Sequence, residues 1–265
     1  PWKNWKPKPK PSMTPMPDYT LNLAETAAGL PNQEVFARKI LELAHLHSQI
    51  QVVTSDSRGS AKLVPFGEAL PHQLTEVGIA EQNLVGVAAG LAACGKKVFA
   101  VSPACFLTAR SLEQIKNDVC YSDHPVVLVG ISAGVSYGAL GSTHHSIHDF
   151  AVLRALHNLA ILAPADSWET EAAIEFAFMA DHPVFLRFGK KPMPSLHSPD
   201  RPMNNFPRGY VLRDGKDLAL IATGETVWRA LEAADQLRSE GVDTRVISLP
   251  ALRPLDESCI LAAAR

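Results

Sequence analysis

The amino-acid sequence predicts an α/β fold in which helices cover both faces of a parallel sheet. Segments with the pattern of strands alternate along the chain with segments that have the pattern of helices. The strand segments, such as Ile50 to Thr54, are apolar or β-branched through nearly their whole length, which is typical of strands buried on both sides. A chain of 265 residues with 46% hydrophobic residues can bury a large core, and we expect more than one domain.

The first predicted domain comprises residues 31–190. Its first helix begins at Pro31, which suits a first helical turn, and apolar residues recur in this helix at three- and four-residue spacing. The strand Ile50 to Thr54 follows, and then a helix in which Glu81 precedes a run of small residues. The later elements repeat this alternation, with strands at 97–102, 125–131, 159–163 and 183–188 and helices at 111–121, 150–157 and after Asp166. We expect Asp166 to cap its helix, with Glu169 as its capping-box partner.

Three further segments surround this domain. Residues 1–30 include a stretch rich in Pro and Lys without helical or strand periodicity, and we expect a flexible arm there. Residues 191–208 contain several prolines and are predicted to be a linker. Residues 209–265 contain two predicted strands, each followed by a helix, and indicate an incomplete second α/β domain. Since a two-stranded open sheet is too small to be stable alone, we expect this segment to be truncated or completed by a neighbour.

Composition and charge exclude several classes of function. The formal net charge is −2 and the basic residues are scattered, so we expect neither nucleic-acid binding nor membrane-surface binding. No apolar run reaches the ~18 residues that indicate a membrane-spanning helix. The 4 cysteines stand singly, without the spacing of a zinc site or a disulfide framework, which predicts reduced thiols and a cytoplasmic protein.

Candidate site residues lie in the loops that follow the predicted strands. Ligands of open parallel sheets bind beyond the carboxyl ends of the strands. This rule indicates the helix start that holds Glu81 and four loops, at 55–60, 102–110, 132–149 and 187–191.

The residues in these loops have ordinary structural interpretations when they are considered singly. A carboxylate such as Glu81 near a helix N-terminus stabilises its own helix modestly, and this explanation and a catalytic one are equally open at this point. A surface arginine such as Arg110 is most often a solvated charge or part of a local ion pair. The histidines His144, His145 and His148 lack the cysteine or carboxylate partners of a convincing metal site, so we expect no metal ligands here and one working histidine.

Three motifs in combination resemble the transketolase family of thiamine-diphosphate enzymes, specifically the C-terminal, pyrimidine-binding subunit of split transketolases. They are VGIAEQN at 77–83, FLTAR at 106–110 followed by EQI at 113–115, and GALGSTHHS at 138–146. The resemblance extends over residues 31–265. It implies a thiamine-diphosphate pyrimidine-binding domain followed by an incomplete transketolase C-terminal domain.

The resemblance also implies roles for individual residues. Glu81 would hydrogen-bond N1′ of the aminopyrimidine ring and favour the imino tautomer, whose 4′ nitrogen can remove the C2 proton of the thiazolium. Phe106 would stack on the aminopyrimidine, and Asp56 would lie on the cofactor side of the site. His144 would be catalytic as well as substrate-binding. The full set of implied substrate contacts is Arg38, Ser60, Arg110, His144 and Lys190, the last of which replaces a family arginine and loses its bidentate fork.

The sequence departs from the family pattern at positions that bear on the substrate and the metal. Ser132 and Leu140 stand where single-chain transketolases carry a histidine and an aspartate, which leaves open the ketose, the aldose and whether the anionic group is phosphate. The chain also lacks the Gly-Asp-Gly and following Asn that hold Mg²⁺ and the diphosphate. We therefore expect an N-terminal partner subunit to supply that half of the site, in a heterotetramer of two copies of each subunit.

Two alternatives remain at this stage. The first is a neighbouring thiamine-diphosphate enzyme, either a deoxyxylulose-phosphate synthase or the β subunit of a 2-oxo-acid dehydrogenase. The second is a regulatory subunit that keeps the fold without turnover. The retained Glu81 argues against the second, because a non-catalytic copy has no use for a carboxylate at that position.

Overall fold

The computed structural model describes residues 26–197 and 205–264, which form a larger and a smaller α/β unit. Residues 1–25 of the predicted arm and residues 198–204 of the predicted linker lie outside the described residues. The larger unit contains α1 (Asn32–Leu46), β1 (Ile50–Thr54), α2 (Val64–Ala69), β2 (Leu74–Glu76), α3 (Glu81–Ala93), β3 (Lys97–Pro103), α4 (Ala104–Arg110), α5 (Leu112–Gln114), β4 (Val126–Ile131), α6 (Asp149–Arg154), β5 (Ala160–Leu162), α7 (Ser167–Met179) and β6 (Val184–Arg187). The smaller unit contains β7 (Tyr210–Arg213), β8 (Leu218–Ala222), α8 (Val227–Ser239), β9 (Thr244–Ser248), β10 (Ala251–Arg253) and α9 (Glu257–Ala263).

The larger sheet confirms the predicted parallel α/β architecture. Its strand order is β10-β5-β6-β4-β3-β1-β2, and every neighbouring pair is parallel except β10 with β5. The outermost strands β2 and β10 were not predicted. Both are three residues long, too short to show a periodicity in the sequence.

The second sheet corrects the prediction of a two-stranded C-terminal segment. It has three strands in the order β7-β9-β8, because Tyr210–Arg213 pairs antiparallel with the strand Thr244–Ser248. Strand β10, which follows β9, leaves this sheet and joins the edge of the larger one. The smaller sheet thus gains a strand from residues that precede the two predicted ones, and β10 connects the smaller unit to the larger sheet.

Two hydrophobic layers cover the larger sheet. One layer includes buried residues of α1 and α7, such as Phe36 and Ile174, and the other includes residues of α3, such as Leu84 and Ala88. Helix α3 buries one face, with Leu84, Val85, Ala88, Ala89 and Ala92, whereas a Cβ added at Gly86 or Gly90 would meet no atom within 4 Å. Glu81 is the first residue of this helix and lies on its buried face.

The prediction of a loop at 102–110 is wrong. Strand β3 continues to Pro103, and α4 then runs from Ala104 to Arg110 with Ala104, Cys105 and Leu107 buried. The predicted helix at 111–121 begins with the short α5 and continues as a wider π-helical segment, Ile115–Tyr121. The strand therefore delivers Phe106 and Arg110 on a rigid helix instead of a loop.

The capping prediction at α7 is half right. The side chain of Asp166 accepts a hydrogen bond from the backbone N–H of Glu169, as predicted. The carboxylate of Glu169 does not return to the capping residue but accepts from Ala165 N at 2.7 Å and from Ser248 Oγ at 2.5 Å. Because Ser248 belongs to β9, this carboxylate links the two units.

Backbone contacts join the two units at several further points. Gly224 N donates to Ala163 O at 3.0 Å, and Ala163 N donates to Pro250 O at 2.8 Å. Residues 27–29 pair with residues 193–195, so the described end of the predicted arm lies against the predicted linker. Within the described ranges, no helix is both long enough and apolar enough to span a membrane.

Candidate active site

Glu81 is buried at the start of α3 and is paired with an arginine from the next helix. Its side chain is 4% exposed, whereas the side chain of Arg110 is 49% exposed. Nη1 of Arg110 donates to both carboxylate oxygens, at 3.0 Å each. Arg110 therefore lies between a buried acid and solvent.

A row of stacked side chains extends from this ion pair. The guanidinium carbon of Arg110 lies 4.2 Å from the centre of the Phe106 ring. The edge-to-face contacts of His144 with Phe106 and with Tyr137 both have ring centres 5.3 Å apart. Nζ of Lys190 lies 4.5 Å from the centre of the Tyr137 ring and ends the row. The structure thus brings together Glu81 and four of the predicted residues: Phe106, Arg110, His144 and Lys190.

An open cleft of about 450 Å³ lies beside Phe106 and Arg110, at one end of this row. Helix α4 forms one wall and the loop at 132–149 forms the other. The lining residues are Cys105, Phe106, Ala109, Arg110, Ser142, Thr143, His145, Ile147 and His148. Glu81 is not among them, but its partner Arg110 is.

The loop at 132–149 is fixed at its base. Gly134 and Ser146 exchange two backbone hydrogen bonds, of 3.0 and 2.8 Å. Gly134 has a φ of 62°, which favours glycine, where the loop turns back towards Ser146. Arg187, at the end of β6, donates from Nε to the buried carboxylate of Asp149 at 2.8 Å and from Nη2 to the carbonyl of Ser146 at 3.3 Å. The ion pair of Arg187 is structural, and it holds the cleft wall in place.

The three histidines of this loop point to different partners. His144 shares a 3.0 Å hydrogen bond with Thr143 Oγ1. His145 Nε2 donates to the carbonyl of Gly138 at 3.1 Å, and His148 Nε2 lies 3.0 Å from Thr108 Oγ1. Among the described residues there is no group of three or more His, Cys, Asp or Glu side chains that could hold a metal ion.

The remaining predicted residues lie apart from the row. Asp56 is exposed just after β1 and has a φ of 53°. Ser60 is exposed, and its carbonyl accepts from Gln33 Nε2 of α1 at 3.4 Å. Arg38 is exposed on α1. The start of that helix is tied to the Lys190 loop, because Asn32 Oδ1 accepts from Gly189 N at 3.0 Å.

Sequence reasoning missed Glu76, which ties the end of β1 to the segment before α3. Its carboxylate accepts from Thr54 Oγ1 at 2.6 Å, Asp56 N at 2.7 Å and Gly78 N at 3.0 Å. Partial burial raises the pKa of Glu76, but these hydrogen bonds outweigh burial and hold the pKa below its usual value. The signal in the sequence was an acid between a strand end and a glycine.

Tyr137 and Glu225 were also missed. Tyr137 connects His144 with Lys190 in the row, and burial raises the pKa of its phenol. Glu225, from the smaller unit, packs against Gly189, where an added Cβ would lie 2.1 Å from Glu225 Oε1. Burial raises the pKa of Glu225, and the positive charge of Arg187 partly offsets this rise. A single tyrosine among glycines and an acid distant in sequence give little signal before the fold is known.

Ser132 and Leu140, the two departures from the family pattern, lie in different environments. Ser132 is buried and has a φ of 53°, directly after β4. Leu140 is 56% exposed on the loop. Neither belongs to the row of stacked side chains.

Comparison with known proteins identifies both units. A model of the transketolase pyrimidine-binding domain matches residues 29–195, and a model of the transketolase C-terminal domain matches residues 208–265. The chain is 44% identical over 229 residues to a Phocaeicola vulgatus protein that is named as an apulose-4-phosphate transketolase subunit, a match that covers 86% of this chain and 73% of that protein.

Other similar proteins agree with this result. A Clostridium protein named as a 6-deoxy-6-sulfo-D-fructose transketolase subunit is 30% identical, over 88% of this chain and 72% of its own length. A solved structure described as a split-gene transketolase, inactive beta4 tetramer, superposes with a TM-score of 0.80 at 36% identity, over 89% of this chain and 77% of that chain. This chain therefore belongs to the transketolase family: residues 29–195 match that family's pyrimidine-binding domain, and residues 208–265 match its C-terminal domain.

Proposed function

We propose that this chain is the pyrimidine-side, catalytic subunit of a two-subunit transketolase that depends on thiamine diphosphate. The complex transfers a two-carbon ketol unit from a ketose, phosphorylated at its far end, to an aldose. A two-carbon transfer between sugars belongs to carbohydrate metabolism.

The observation that carries the proposal is the pairing of a buried carboxylate with an aromatic face at one cleft. Glu81 offers a hydrogen-bonding acid on α3, and Phe106 offers a flat apolar ring on α4. An aminopyrimidine needs both, because its ring nitrogen requires a hydrogen-bond partner and its π-face requires a stacking surface. The residues present fit the pyrimidine half of thiamine diphosphate.

In this proposal the cofactor, once bound, supplies the nucleophilic carbon that forms and breaks the sugar bonds. Glu81 holds a proton at N1′ of the aminopyrimidine, and Phe106 orients that ring. Asp56, at the end of β1, lies on the cofactor side. His144 contacts both Phe106 and Tyr137, and it binds the sugar and moves its hydroxyl protons.

The diphosphate and Mg²⁺ belong to a partner subunit in this proposal. The described residues include no cluster that could hold a metal ion. Several similar proteins are named as subunits, and the similar solved structure is described as an inactive tetramer. We infer an N-terminal transketolase subunit as the partner, in a heterotetramer with two copies of each chain.

In this proposal Lys190, Arg110, Arg38, Ser60 and His144 bind the sugar and its anionic group. Lys190 ends the row of stacked side chains, and Arg110 becomes available when it leaves Glu81. Arg38 and Ser60 lie on and beside α1, whose start is tied to the loop of Lys190. Related proteins are named for a phosphorylated sugar and for a sulfonated one, and Lys190 would pair with either anion as a point charge.

The activity test reconstitutes the chain with an N-terminal transketolase subunit, thiamine diphosphate and Mg²⁺. We expect ketol transfer from phosphorylated ketoses to aldoses and none from pyruvate. Turnover with pyruvate would instead favour a deoxyxylulose-phosphate synthase or a 2-oxo-acid dehydrogenase. No turnover with any donor would favour a regulatory subunit. Tight calorimetric binding of thiamine diphosphate and Mg²⁺ to the chain alone would contradict the assignment of the metal site to a partner.

The anion assignment is tested at two neighbouring lysines. In the reconstituted complex, Lys190→Met should raise the KM for a phosphorylated ketose about tenfold with little change in kcat, because a lost contact to a remote anion weakens binding throughout the reaction. Lys191→Met, also at an exposed lysine, is the matched control and should change neither constant. Equal KM values for the two variants would contradict the role of Lys190. A sulfonated donor measured in parallel shows which anion is preferred.

A further inference from the structure

The side chain of Arg110 makes both contacts that an aminopyrimidine would make in this site. Its Nη1 donates to both oxygens of Glu81 at 3.0 Å, and its guanidinium carbon lies 4.2 Å from the centre of the Phe106 ring. A guanidinium is planar and carries donors at its edge, so it matches a carboxylate and an aromatic face together. In the proposed function, the same two protein surfaces bind N1′ and the face of the pyrimidine ring.

The burial of the pair shows which partner can move. Glu81 is 4% exposed and is fixed as the first residue of helix α3. A buried carboxylate without a partner is costly, which gives Glu81 a reason to hold a cation. Arg110 is 49% exposed at the last residue of α4, so its side chain can turn into the cleft without disturbing the core.

We propose that Arg110 occupies the pyrimidine position in the cofactor-free chain and must be displaced when the cofactor binds. This proposal rests on the proposed function, because it takes the pyrimidine half of thiamine diphosphate as the competing ligand. The contact keeps Glu81 paired until the ring arrives. It also lowers the apparent affinity for the cofactor, because only molecules in which Arg110 has left this position can bind the ring. Once displaced, the guanidinium faces the cleft, where the substrate contact assigned to Arg110 would be made.

The test measures cofactor affinity, not turnover. Arg110→Met, which keeps a long unbranched side chain without charge, is compared with the unchanged chain in the complex reconstituted with the N-terminal subunit. Calorimetric titration with thiamine diphosphate at saturating Mg²⁺ should show a Kd about tenfold lower for the variant, since the closed state is removed. A Kd that is unchanged or higher would overturn the proposal.

Two controls separate displacement from a general effect of charge. Lys116→Met removes the same charge from an exposed position in the adjoining helical segment and should leave the Kd unchanged. In a Glu81→Ala background the Arg110→Met substitution should no longer tighten binding, because the ion pair that closes the position is already absent. Equal tightening in the two backgrounds would contradict the mechanism. If Arg110→Met folds poorly, Arg110→Gln provides the same comparison.

These measurements distinguish a failure of the Arg110 displacement from a failure of the proposed ketol transfer. A complex that binds thiamine diphosphate but transfers no ketol unit would contradict the proposed function and leave the role of Arg110 measurable. A complex that transfers ketol units normally, with no tightening in the Arg110→Met variant, would contradict only the displacement.

Discussion

Asp166 and Glu169 are buried at the start of α7, and Glu81 is buried at the start of α3. Both helix starts lie beyond strands of the same sheet, but the surroundings of the acids differ. Asp166 is fully buried before α7, and its carboxylate accepts hydrogen bonds from Glu169 N, Leu196 N, His197 N and His197 Nδ1 at 2.8 to 3.0 Å. Glu169 in turn accepts from Ala165 N and Ser248 Oγ. Each of these donors is buried and held in place by the fold. Glu81, in contrast, is held by a half-exposed arginine.

The comparison shows that burial at a helix start does not by itself identify a catalytic acid. Both sets satisfy the rule that buried charges must be paired. They differ in whether the partner can be exchanged: three of the four donors to Asp166 are backbone N–H groups that cannot leave, whereas Glu81 is bonded by a side chain that can. We therefore expect substitutions of Glu81 to affect chemistry and substitutions of Asp166 to affect stability.

The largest expected effect is on turnover in a Glu81→Gln variant of the reconstituted complex. Glutamine keeps the shape of the side chain but cannot hold or release a proton at N1′, so kcat should fall by about 100- to 1000-fold. Thermal unfolding of the chain and assembly with the partner should change little. Glu68→Gln, at an exposed acid on α2, is the matched control and should keep full activity. Unchanged turnover in the Glu81 variant would show that its catalytic role is wrong.

The next effect is on stability in an Asp166→Ala variant. The substitution leaves several buried N–H groups without an acceptor, and we expect the free energy of unfolding to fall by about 3 kcal/mol. Urea denaturation measures the change, with Asp118→Ala at an exposed position as the control. A loss as small as that of the control would mean that the hydrogen bonds to Asp166 are dispensable. If the chain folds with its partner, cofactor affinity should be retained, in contrast to Glu81 substitutions.

Much of the larger unit could be predicted from the sequence because its elements are long and uniformly apolar. The strand Ile50–Thr54 was predicted with its observed bounds, and the start of α1 beside Pro31 followed from the preference of proline for a first turn. The three-residue strands β2 and β10 could not be found in this way. The pairing of Tyr210–Arg213 with β9 depends on tertiary contacts that a local pattern does not encode.

The site was predictable only where a motif names a residue. The family resemblance placed Glu81, Phe106 and His144 in one site, and the structure brings them into one neighbourhood through Arg110. The contact between Arg110 and Glu81 itself could not be predicted, because it depends on α4 where a loop was expected. The side-chain roles remain predictions that the variants above test.

The smallest expected effect is on the pH dependence of stability, through Glu169. Burial raises the pKa of Glu169 from its ordinary value of 4.5 to about 7, opposed by the charge of His197 and reinforced by Asp166. Ser248 donates a hydrogen bond to the carboxylate of Glu169. Burial raises the pKa of Tyr210, and the negative charge of Glu169 raises it further.

The sign of the effect follows from proton binding. Between pH 4.5 and about 7 the folded chain holds a proton on Glu169 that the unfolded chain has released. The free energy of unfolding should therefore fall as pH rises through this window. Glu169→Gln cannot titrate, so its urea unfolding curves from pH 5 to pH 8 should show a correspondingly smaller decline, and Glu171→Gln, at an exposed acid, should follow the unchanged chain. Parallel pH profiles for the two variants would show that Glu169 is ionised in the folded chain like a surface acid, and would remove it from the set of acids fixed within the fold.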